Sequence, residues 1–164
     1  MRSSRLVAAG VLTLALAACS TEQPAGPTTP ASGAKSAQPV KAIEAAAGAV
    51  PDGRVFDVEP ANDGWEIKVA SQGQEHKVRV SRDGGQVLGK QQTAKPGDDL
   101  AKAGQAGVDA VKALRTAQQR QPGELDEMEI DRATDGTLVW EVTVRDGTGI
   151  EHEVNVDAKT GEAR

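Results

Sequence analysis

Apolar and polar positions alternate with period two in six short runs, and the runs fall into two groups with similar order. In the first group Phe56 and Val58 alternate with Asp57 and Glu59; Trp65, Ile67 and Val69 share a face; then His76, Val78 and Val80 do. In the second, Met128 and Ile130 are followed by Leu138, Trp140, Val142 and Val144, then by Ile150, His152, Val154 and Val156. Strict alternation predicts strands with one buried face. Asn62-Asp63-Gly64, Ser71-Gln72-Gly73 and Asp83-Gly84-Gly85 punctuate the first group; Asp135-Gly136, Asp146-Gly147 and Lys159-Thr160-Gly161 punctuate the second. These are turn-forming clusters.

A helical pattern precedes each group. Val40, Ile43, Ala47 and Val50 lie on one face of a helix predicted over residues 39–49, with Pro39 in its first turn and Pro51-Asp52-Gly53 as its stop. Leu100, Ala103, Gly107, Val111 and Leu114 predict a second, longer helix that opens after Pro96-Gly97-Asp98-Asp99 and closes by Pro122-Gly123. Each group thus reads as a helix followed by an antiparallel meander with one apolar face. Laying the helix across that face gives an α+β two-layer unit.

The two groups also share words. Trp65-Glu66-Ile67-Lys68-Val69 is echoed by Trp140-Glu141-Val142-Thr143-Val144, and Glu75-His76-Lys77-Val78-Arg79-Val80 by Glu151-His152-Glu153-Val154-Asn155-Val156, at an offset of about 75 residues. Two tandem copies follow, over residues 39–91 and 98–164, with 92–97 as linker. Each copy is small for a domain without a disulfide. The two are therefore expected to lean on one another rather than fold as independent beads.

Ahead of the copies lies a different kind of segment. Arg2 and Arg5 precede a run of a dozen uncharged residues from Val7 to Ala18, too short to span a bilayer and suited to the apolar region of a signal peptide. The run ends Leu16-Ala17-Ala18-Cys19, which resembles the lipobox of bacterial lipoproteins. That resemblance implies cleavage after residue 18, diacylglycerol on the Cys19 sulfur, and a location on the outer side of the cell membrane. The alternative is an ordinary signal peptide with an incidental cysteine. Residues 19–38 then form a tether too poor in apolar side chains to order itself, with a reach of about 20–25 Å.

Charge narrows the partners. The whole chain carries a net charge of −5. Removing residues 1–18 leaves 17 basic against 24 acidic side chains, a net −7. This disfavours nucleic acid and anionic lipid headgroups. Phe56, Trp65 and Trp140 are the whole aromatic set, too few for a carbohydrate or base-stacking platform. Trp65 and Trp140 share phase with the strand valines and read as core residues.

Little in the chain points to catalysis. No calcium loop, phosphate-cradling glycine loop, nucleophile elbow or metallopeptidase helix is present in the sequence. The only cysteine is Cys19, so no disulfide forms within one chain. Asp98-Asp99 and Glu127/Glu129 read as capping and solvation. Asp146-Gly147-Thr148-Gly149 sits in a hairpin turn. His76 and His152 hold equivalent places on the apolar strand faces; they read as rim residues of the core, with a metal site shared between the copies, or a pH-sensitive rim, as the sharper alternatives. No cofactor is expected.

The stretch Asp131-Arg132-Ala133-Thr134-Asp135-Gly136-Thr137-Leu138-Val139-Trp140-Glu141-Val142-Thr143-Val144 resembles the PepSY domain. So does Gly149 to Glu162, with its closing Asp157-Ala158-Lys159-Thr160-Gly161-Glu162. The first copy resembles it through its tryptophan strand and its last strand, and departs at Ser81-Arg82-Asp83-Gly84-Gly85. The resemblance implies a cystatin-like helix on a sheet of three to four antiparallel strands, duplicated here. It also implies a non-enzymatic role in binding or restraining a peptidase of the cell envelope. An accessory or sensory lipoprotein without inhibitory activity, and a ligand or metal carrier using the cleft between copies, are the other expectations.

Overall fold

The computed structural model describes residues 32–164, with side chains from residue 38 onward. The expected signal peptide, Cys19 and the tether as far as residue 31 lie outside the described residues.

Ten elements follow in the order α1 (Ser32–Gly48), β1 (Arg54–Ala61), β2 (Gly64–Ser71), β3 (Gln74–Ser81), β4 (Val87–Gln92), α2 (Asp99–Ala103), α3 (Ala110–Arg120), β5 (Glu124–Arg132), β6 (Leu138–Arg145) and β7 (Glu151–Asp157). The six alternating runs form β1 to β3 and β5 to β7. All the strands join one antiparallel sheet in the order β4-β3-β2-β1-β5-β6-β7. The expectation of separate sheets of three to four strands is corrected here. The first strand of each group pairs with the other, Asp57 opposite Glu129 and Val58 opposite Met128, and this seam makes a single seven-stranded sheet. About the seam the order is symmetric, with β3-β2-β1 on one side and β5-β6-β7 on the other. Both seam strands carry a register shift near the start, between Val55 and Asp57 in β1 and between Leu125 and Glu127 in β5. A β-bulge of this kind twists a strand and re-aims its side chains.

Helices α1 and α3 lie on one face and touch each other. Beneath them Ile43, Phe56, Val58, Ile67, Leu114, Met128, Ile130 and the strand valines form one continuous core that crosses the seam. Ala42, Ala46, Ala113 and Ala117 are fully buried, and their small side chains let the helices approach the sheet closely. Arg54 reaches from the start of β1 to donate to the Ala106 carbonyl at 2.8 Å.

Four local expectations are revised. Helix α1 begins at Ser32, ahead of Pro39, so residues 32–38 are helical rather than part of an unstructured tether. The second helix is broken into α2 and α3. Gly104 and Gly107 lie in the break, and the Gly107 and Val108 amides both donate to the Ala158 carbonyl, at 2.8 and 2.9 Å. A Cβ at Gly107 would come within 3.3 Å of the Lys159 carbonyl oxygen. The cap of α3 is Asp109, whose carboxylate accepts from the Lys112 amide at 2.8 Å; Asp98, at the start of α2, makes no side-chain cap. Finally, β4 occupies residues 87–92 and pairs with β3, so the boundary expected at residue 91 falls within a strand.

Candidate functional site

Among the described residues, a cleft between the helices and the sheet face away from them have the shape or charge to meet another molecule. The first is a cleft of about 810 Å³ between α1 and α3. Its floor is apolar, with Ile43, Ala47, Ala103 and Val108, and its walls carry Arg54, Lys112 and Arg115 beside Glu44 and Asp109. One cation and one anion are already committed: Arg54 to the Ala106 carbonyl, Asp109 to the α3 cap.

The second surface is the sheet face away from α1 and α3. The bulge in β1 places Asp57 on this face opposite Lys68 of β2, whose ammonium contacts both Asp57 and Glu59. Lys77 on β3 likewise contacts Glu66 at 2.6 Å. Beyond the seam the same face carries Glu127 and Glu129 on β5, Glu141 on β6 and Glu153 on β7. With Asp57 and Glu59 they line a hollow of about 100 Å³. Asp57 is only 2% exposed. One of its carboxylate oxygens meets Lys68, while the other is buried with no hydrogen-bond partner. Burial pushes the Asp57 carboxyl up to about 6 despite the Lys68 contact. Burial works against the Lys68 charge, but its contacts with Asp57 and Glu59 outweigh it and hold the ammonium above the ordinary lysine value. Glu129 and Glu141 are raised too, by burial first and then by neighbouring carboxylates.

The residues singled out from sequence fall elsewhere. Trp65 and Trp140 are buried on the helix-facing side, 8% and 1% exposed, opposite Val80 and Val156. The Trp140 indole N–H donates to the Val108 carbonyl at 3.0 Å, which ties β6 to the break between α2 and α3. His76 and His152 are half-buried at equivalent places, opposite Val69 and Val144. They stand on β3 and β7, five strand positions apart in the sheet, or about 24 Å at the usual strand spacing. One ion cannot reach both. His152 Nε2 lies 2.8 Å from Asp146. That aspartate also accepts from the Thr148 amide and hydroxyl and the Ile150 amide, and these contacts hold its carboxyl far below the ordinary range. Asp146 is thus occupied in shaping the β6–β7 turn. Among the described residues no group of three metal-ligating side chains stands in position to hold an ion.

The acidic hollow was not singled out from sequence. Each of its carboxylates is an ordinary outward residue of an alternating strand. Only the strand order, with β1 beside β5, gathers them.

Residues 107–164, which run from the break before α3 to the last residue, match the PepSY family, described as peptidase propeptide and YPEB domain. No curated relative matches the chain. A provisionally described lipoprotein from Clostridium difficile 630, of known crystal structure, aligns with a TM-score of 0.44 at 17% identity, over 77% of this chain and 90% of that one.

Proposed function

We propose that this chain is a membrane-tethered, non-catalytic module of the cell envelope that binds a secreted or envelope protein, with restraint of a peptidase as the specific role to test. The observation that carries the reading is the PepSY match over residues 107–164, a family whose description is that of a peptidase propeptide. The symmetric strand order, the equivalent bulges and the echoed sequence support a second tandem copy of the same unit in residues 39–91. The signal-like segment and the Leu16-Ala17-Ala18-Cys19 run support attachment through lipid on Cys19, with residues 1–18 removed. Fold alone does not fix function. What favours binding over chemistry is the use made of the polar groups. Asp146, for example, is spent on its own turn.

Fractionation tests the anchor. Cys19→Ala should move the protein from the membrane to soluble or secreted fractions; retention equal to the parent would remove the lipid tether from the proposal. Capture of partners on the purified whole chain, followed by assay of any captured peptidase with and without it, tests the rest. A partner whose activity is unchanged would favour the accessory or sensory role.

A further inference from the structure

We propose that the hollow at the seam of the sheet receives the guanidinium or ammonium head groups of a basic segment of the protein partner. This deepens the protein-binding reading above and rests on it.

The first half of the molecule shows how carboxylates on this face are satisfied. Lys68 stands opposite Asp57 and serves Asp57 and Glu59; Lys77, next along the row, serves Glu66. With the two bulges aligned, the place of Lys68 is taken in the second half by Thr143, opposite Glu127, and the place of Lys77 by Glu153, opposite Thr143. The second half keeps the carboxylates and replaces both lysines. Among the described residues no lysine or arginine makes an ion pair with Glu127, Glu129, Glu141 or Glu153; the nearest cations are engaged, Lys68 as above and Lys102 with Asp99 and Asp131.

Register makes the arrangement costly. Asp57 is opposite Glu129, and Glu129 is opposite Glu141, so three carboxylates stand in one row across β1, β5 and β6. Like charges directly opposite one another destabilise a sheet. Folding alone gives no reason for such a row. A second sign is the orphaned oxygen of Asp57, a residue that lines the same hollow. A buried acceptor without a donor costs free energy until one arrives. The carboxylates are spread over three strands on that side of the seam rather than converging on a point, which suits several cationic side chains of a peptide better than one metal ion. The hollow, at about 100 Å³, has room for one such head group at a time, with the exposed Glu127, Glu129 and Glu153 around it.

The probe is a synthetic peptide of alternating arginine and glycine, titrated into the whole chain by calorimetry, with a glutamate–glycine peptide as control. The arginine peptide should bind and the control should not, and binding should weaken steeply with added salt. Glu129→Gln with Glu141→Gln should cost about tenfold in affinity, the loss of roughly 1.4 kcal/mol. Thr143→Lys should abolish binding by placing an internal ammonium where Lys68 stands in the other half, and should not lower the melting temperature. This second variant keeps the test open if the first fails to fold. Glu44→Gln, in the helix-side cleft, should change nothing. Binding that survives both sheet-face changes, or no binding at all, overturns the proposal. So does tight binding of calcium alone that the peptide fails to displace. Because the probe is synthetic, its failure leaves the search for a captured partner unaffected, and the cleft becomes the surface to test.

Discussion

At the scale of single residues, Asp57 and the two tryptophans show how position decides role. Asp57 is ionised less readily in the folded chain, at about 6 against an ordinary 3.8. A carboxyl raised on folding weakens the folded state above its folded pKa, and this penalty is relieved as pH falls through about 6 towards 3.8. The parent should therefore gain roughly 1 kcal/mol from this group between pH 7 and pH 5. Glu129 and Glu141, also raised, act in the same direction. Carboxyls held below their ordinary range, such as Asp131 and Asp157, oppose it only at lower pH. Urea denaturation at pH 7, 6 and 5 checks this; Asp57→Asn should flatten the rise, and a parent more stable at pH 7 than at pH 5 would contradict it. Trp140→Ala should cost about 3–5 kcal/mol, as for other large buried aromatics. It also strips the Val108 carbonyl of its donor. Trp65 has a longer contact, 3.4 Å to the Arg82 carbonyl, and is slightly more exposed, so Trp65→Ala should cost less. Equal losses in chemical denaturation would show that the indole hydrogen bond adds little.

At the scale of elements, the turn after β3 is fixed by its packing against α1. Gly84 has a φ of +73°, and a Cβ there would lie 2.6 Å from the Gln38 carbonyl oxygen and 2.7 Å from the Ala42 amide nitrogen. The turn packs against the backbone of α1. Gly84→Ala should lower stability by about 1–3 kcal/mol, from the left-handed backbone and the displaced helix together; Gly73→Ala, whose Cβ meets nothing within 4 Å, carries only the backbone part and should cost less. A thermal melt of the two variants separates these. Six strands and α1 were legible in the sequence because alternation and helical spacing are local. β4 was not: Val87-Leu88-Gly89-Lys90-Gln91-Gln92 has no alternation and is held as a strand by pairing with β3. The break between α2 and α3 was hidden because the apolar phase of Leu100, Ala103, Gly107, Val111 and Leu114 runs straight through it. The contacts that open it, from Gly107 and Val108 to Ala158, come from about 50 residues away. The acidic hollow was hidden for a similar reason. No local pattern says that β1 will lie beside β5.

At the scale of the whole molecule, the seam joins two small units into one sheet over one core. Each unit alone orders its chain against a core rich in alanine, which buries little area per residue. Residues 39–164 should unfold in a single calorimetric transition, while residues 39–91 alone should be poorly folded, since β1 would lose β5 along one edge and α1 would lose α3. Two separate transitions, with 39–91 melting as it does in the longer chain, would show independent units. The seam also has a consequence for a protein present at low concentration. Two single units that met edge to edge would form the same sheet only as a dimer, and would part on dilution. Here both halves of the joint belong to one polypeptide, so each half meets the other at a fixed, high effective concentration. The composite face persists at any dilution of the protein.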